Sequence, residues 1–111
     1  MDNLDTYRQL AEKILTGYTT IPYAYGNIRI QTVFDRAADH YMLMLVGREG
    51  VRRVHGCLVH LDIIDGKIWI QRDGTEHGVA RDLLEAGVPR DNIVLAFRSA
   101  EVLKGTDSVA A

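Results

Sequence analysis

Leu4, Tyr7, Leu10, Ala11, Ile14, Leu15 and Tyr18 recur at intervals of three and four residues. That period predicts an amphipathic helix from about Asn3 to Thr16, with Asp2 or Asn3 as its cap and Gly17 as its stop. The polar face carries Asp5, Arg8, Glu12 and Lys13, and Arg8 and Glu12 are spaced to pair one turn apart. Thr19 to Gly26 reads as a loop around Pro22. Its two tyrosines, Tyr23 and Tyr25, have the spacing of an extended segment and suit a lid over the core or a partner surface.

From Ile28 the period changes to two. Ile28, Ile30, Thr32 and Phe34 alternate with Arg29, Gln31, Val33 and Asp35, which predicts a half-buried strand ending in the polar turn Arg36 to Asp39. His40 to Val46 is apolar on both faces and reads as a central strand. Gly47 to Gly50 then turns the chain into a strand from Val51 to Ile63. Asp65-Gly66 is a tight-turn dipeptide in which both residues tolerate positive φ, so Lys67 to Arg72 returns as a hairpin strand. Trp69 falls on the face opposite Ile68 and Ile70, to be buried outside the main core or at an interface. Asp73-Gly74-Thr75 stops that strand. Thr75 or Asp73 is placed to cap a helix through Val79, Ala80, Leu83 and Leu84, with Glu76 early, where the helix dipole favours an anion; Gly87 and Pro89 end it. Ile93 to Phe97 supplies the last strand.

These elements predict one α+β domain over 1–111: an antiparallel meander sheet of four to five strands, an N-terminal helix, and a second helix before the last strand. Two helices cannot cover both faces of such a sheet. Trp69, Met42 and Met44 leave apolar surface over, which predicts a homodimer, or higher homo-oligomer, or a protein partner.

At 111 residues the chain is long enough for a single core, burying about 65% of its unfolded surface. Thirteen Lys and Arg face 15 Asp and Glu, a formal net charge of −2, which argues against strong affinity for duplex DNA. The local exception is Arg48, Arg52 and Arg53, with Arg72 on the return strand. Such a patch fits a strand ribbon on nucleic acid or, more simply, a solvated sheet edge paired with Glu49 and Asp62. Cys57 is the lone cysteine, expected to share a face with Val59 and Leu61 as a buried, inert thiol. No signal peptide and no apolar run of membrane-spanning length is visible, so a cytoplasmic location is expected.

Candidate chemistry is thin. His55, Cys57, His60 and Asp62 have metal-ligand side chains, but strict strand alternation divides them two to a face, so no metal is expected. Glu76 and His77 beside Asp73 could form an acid and base pair, and the Asp73-Gly74-Thr75 turn an anion cradle, but capping explains them more simply. No nucleophile elbow, P-loop or zincin helix is present, so neither catalysis nor a cofactor is expected.

Five motifs, IPYAYG at Ile21 to Gly26, DHY at Asp39 to Tyr41, RRVHGC at Arg52 to Cys57, GKIWIQRDGTEHGVA at Gly66 to Ala80 and GVPRDNIVLAF at Gly87 to Phe97, occur together and in order. In these the chain resembles the XisI-like family, the fdxN element excision controlling factors of cyanobacteria, over roughly its first 97 residues. The tail from Arg98 to Ala111 departs from the family pattern. The resemblance implies a non-catalytic accessory factor in DNA recombination. It would act by binding a second small protein, XisH-like, and a site-specific recombinase–DNA complex is a further candidate partner, with direct DNA contact left open. Two alternatives stand beside this: an antitoxin-like inhibitor of a nuclease-like partner, and a small-ligand sensor using the Asp73-Gly74-Thr75 turn.

Overall fold

The computed structural model describes residues 3–20, 27–98 and 101–102. Helix α1 (Asn3–Tyr18) is followed by β1 (Asn27–Asp35), β2 (His40–Glu49), β3 (Arg52–Ile64) and β4 (Lys67–Asp73), then α2 (Val79–Glu85), β5 (Ile93–Leu95) and the two-residue β6 (Glu101–Val102). The strands lie side by side in chain order. Every neighbouring pair is antiparallel except β4 and β5, which run parallel because α2 carries the chain back across the sheet between them. The α+β meander expected from the sequence is therefore the fold, with β6 as a short addition.

Both helices pack on one face of the sheet. Tyr7, Ala11 and Leu15 of α1 and Val79 and Leu83 of α2 close over Tyr41, Leu43, Val59, Leu61, Ile68 and Ile70, all in one buried cluster. Phe34 joins its edge and packs on the Tyr41 ring at 5.8 Å between centroids. The 3.6-residue period of α1 and the two-residue period of the strands thus meet in a single apolar layer.

Several boundaries differ from the sequence reading. Gly17 does not stop α1, which continues to Tyr18. A helical glycine costs only about 1 kcal/mol against alanine, and the last turn is anchored by the Tyr18 hydroxyl donating to Asp82 Oδ2 at 2.5 Å. The end is closed instead by Thr19 and Thr20, whose hydroxyls donate to the Thr16 and Gly17 carbonyls. Arg8 and Glu12 each make a paired bond to the β1–β2 turn, Arg8 to Asp39 and Glu12 to Arg36, in place of the expected pairing along the helix. The Asp2 cap lies outside the described residues.

Gly47 belongs to β2, not to a turn: it pairs with Ile28 on one side and Val54 on the other, and the chain reverses only at Gly50-Val51. Here the glycine is needed for closeness, since a Cβ would fall on the Asn27 carbonyl oxygen. At the next hairpin Asp65 and Gly66 take φ of 52° and 76°, the paired positive values of the tight turn foreseen there.

The second helix starts later than expected. Glu76 is exposed in the loop before it, and α2 begins at Val79. Asp73 holds the entry: Oδ1 accepts the Thr75 amide and hydroxyl at 2.9 and 2.6 Å, Oδ2 accepts the Val79 amide at 2.8 Å, and Thr75 Oγ1 accepts the Gly78 amide. The other end is a Schellman motif. Val88 N–H donates to Leu83, Gly87 N–H donates to Leu84, and Gly87 takes φ 102°.

Candidate functional site

The second face of the sheet is set by register. Residues paired across antiparallel strands project from the same face, so Val33 and Gln31 of β1 join Met42 and Met44 of β2 on the side away from the helices. From β3 come His60 and Asp62, and from β4 Trp69, which pairs with Asp62. Met42, Met44 and Trp69 are half-buried and Val33 is 43% exposed. Neither helix covers this face, as the sequence led us to expect for Trp69 and the two methionines.

A bulge changes what β3 contributes. Leu43 pairs with Val59 but Met44 pairs with Cys57, so Leu58 is an extra residue that reverses the alternation. Cys57 therefore does not share a face with Val59 and Leu61; it lies with Met44 on the open face, as does His55 opposite Val46. The premise that split His55 and Cys57 from His60 and Asp62 is corrected by this single residue. Burial pushes the half-buried Cys57 thiol up, in keeping with an inert group, and its Sγ donates to the Val59 carbonyl at 3.3 Å.

A second bulge, at Gln71 in β4, brings an amide beside Asp62. Asp62 is 8% exposed and accepts three hydrogen bonds: His40 Nδ1 at 2.7 Å and His60 Nε2 at 2.8 Å on Oδ1, and Gln71 Nε2 at 3.2 Å on Oδ2. Burial alone raises the Asp62 carboxyl, but the bonds from His40 and His60 outweigh it and leave the group below its ordinary value. The same carboxylate raises His40. The two rings meet edge to face at 6.1 Å. His40 and Gln71 were missed in the sequence because they come from flanking strands; the pairing of His40 with Asp62 needs the register, which no local pattern carries.

The basic residues divide. Arg48 and Arg53 face each other on the open side near the tip of the β2–β3 hairpin, and Arg29 of β1 stands diagonally beside Arg48. Arg52 pairs in register with Glu49 on the other side and bonds it at 3.3 Å. Arg72 is not part of this group. It lies opposite His60, seven positions and so about 23 Å along β3 from Arg53, and its Nε donates to the Cys57 carbonyl at 2.7 Å, filling the bulge. The Gly74 amide donates to the neighbouring Leu58 carbonyl at 2.8 Å. Asp62, expected to pair with arginine, is held by the two imidazoles instead. Tyr23 and Tyr25 lie outside the described residues.

Between α1 and α2 is a groove of about 590 Å³ lined by Leu10, Ile14, Tyr18, His77 and Asp82. Asp82 bridges Tyr18 and His77, the latter at 3.0 Å, and burial with that carboxylate pushes the Tyr18 phenol up to about 12. His77 thus pairs with Asp82 of α2. No helix among the described residues is long and apolar enough to cross a membrane.

The chain is similar to two solved structures from Anabaena variabilis. A XisI-like protein is 39% identical, with 83% of this chain and 84% of that chain covered and a TM-score of 0.77. The fdxN element excision controlling factor XisI is 30% identical, covering 86% and 87%, with a TM-score of 0.73. No curated protein matches the chain. The family model described as XisI protein matches residues 1–109, and the chain belongs to the XisI family.

Proposed function

We propose that this protein is a non-catalytic accessory factor in control of DNA element excision, and that it works by docking the open face of its sheet on another protein. Kinship with an excision controlling factor supports the first part. The observation that carries the second is the face itself: an apolar centre of Val33, Met42 and Met44, flanked by Arg29, Arg48 and Arg53 at the hairpin end. Apolar surface ringed by charge fits a protein interface, and the cationic end selects an acidic neighbour. A XisH-like protein is the partner of this reading, a site-specific recombinase on its DNA the target, and a second copy of the chain the competing occupant of the face.

Co-expression with a XisH-like protein tests it. A stable complex that alters excision frequency, weakened by Met44→Asp and by Arg48→Ala with Arg53→Ala, is the expected result. Relief of a toxic partner without effect on excision would favour an inhibitor of a nuclease-like protein. Steady substrate turnover by the isolated chain would overturn the reading.

A further inference from the structure

We infer that His40, His60 and Asp62 form a binding site for one divalent transition cation of the zinc type. Three donor atoms of the kinds zinc prefers, two imidazole nitrogens and a carboxylate oxygen, lie within 4.8 Å of one another on the open face. They come from two paired strands, so the sheet fixes their spacing. His40 stands directly across from Asp62, and His60 is two residues along on the same strand.

The dimensions suit the ion. Ligand atoms about 2.0–2.2 Å from a four-coordinate zinc stand roughly 3.3–3.5 Å from each other. The two nitrogens now lie 2.7 and 2.8 Å from Asp62 Oδ1, so small rotations of the two rings open the space. Gln71 holds Oδ2 from behind at 3.2 Å, the kind of outer bond that orients a ligating carboxylate. Charge agrees as well. Asp35 is the register partner of His40, so a second carboxylate stands on the neighbouring strand beside the three donors.

The plain alternative is that the imidazoles serve only to satisfy a buried carboxylate. That account explains the bonds but not the carboxylate: an apolar residue at position 62 would need none of them and would avoid the cost of burying a charge. A metal gives all three groups one purpose and leaves a fourth position open, to be filled by water or by a donor from whatever sits on this face. Among the described residues, the other group with ligand atoms, His77, Asp82 and Glu85, is a poorer candidate, since Asp82 is bonded to Tyr18 and Glu85 to Arg81 at 3.5 Å.

The test uses untagged full-length protein and Zn²⁺ alone, titrated by calorimetry, with Co²⁺ absorption to report coordination. One equivalent is expected, with ring signals of His40 and His60 shifting together in NMR. His40→Gln and His60→Gln each weaken binding about a hundredfold or more, Gln71→Ala weakens it about 10–100-fold, and His55→Gln and His77→Gln leave it unchanged. Absence of binding at micromolar Zn²⁺, binding that persists in the folded His40→Gln, His60→Gln double variant, or binding lost with His77 would each overturn the assignment. Because the wild-type NMR shifts need no variant, the proposal stays testable if a substitution harms folding.

Discussion

Arg8 and Asp39 tie the N-terminal helix to the β1–β2 turn through two bonds, Nε to Oδ1 at 2.8 Å and Nη2 to Oδ2 at 3.1 Å. The Tyr41 hydroxyl adds a third at 2.9 Å, and Asp39 itself holds φ 60°. The Arg8 guanidinium keeps the carboxyl below its usual value despite partial burial. Asp39→Asn, which tolerates the same backbone, is expected to lower stability by about 1–3 kcal/mol in denaturant unfolding. Because the folded pKa is depressed, this contribution is present above the unfolded value near ~3.9 and disappears as pH falls through the folded one. The gap between wild type and variant should therefore close in acid.

Gly47 and Gly56 sit in neighbouring strands but should respond oppositely to alanine. At Gly47 the methyl would meet the Asn27 carbonyl, whereas at Gly56 nothing lies within 4 Å. Gly47→Ala should cost about 1–3 kcal/mol by forcing β1 from β2. Gly56→Ala should be neutral or slightly stabilising. Thermal unfolding of the two variants measures the difference.

His40 is raised by its bond to Asp62. The stabilisation from that pair is full below the unfolded imidazole value of ~6.5 and is lost as pH rises through the folded one. In the metal-free protein, NMR titration should place His40 above that unfolded value, and Asp62→Asn should bring it back down.

Met44 and Val33 are predicted to matter for association and not for folding, since they lie away from the buried cluster. Met44→Asp with Val33→Asp should weaken complex formation or self-association by about tenfold or more, about 1.4 kcal/mol, while leaving the melting temperature within a few degrees. Light scattering and calorimetry on the same samples check both halves.

The main elements were legible because each local signal agreed with the tertiary result. The period of α1, the Asp65-Gly66 turn and the Gly87 stop all name their own structures. What escaped reading depends on register. Leu58 looks like any strand residue, yet its bulge moves Cys57 to the open face. His40 reads as the start of an apolar strand until pairing sets it opposite Asp62. Arg72 reads as an extension of the basic patch in sequence because the length over which two strands pair carries no local signal. In fact β4 reaches only from Ile64 back to Val59 along β3. The late start of α2 was hidden for another reason: Asp73 bonds Val79 six residues on, a longer reach than an ordinary cap.

The additional residue at Leu58 also divides β3 by allegiance. Past it, the odd-numbered side chains Val59, Leu61 and Ile63 answer to the core; before it, the odd-numbered Arg53, His55 and Cys57 face outward. If β3 instead paired regularly through Leu58, everything upstream would shift phase, turning an arginine and a histidine inward and spoiling both surfaces at once. The hairpin tip is thus free to be rewritten for new neighbours only while this offset is kept.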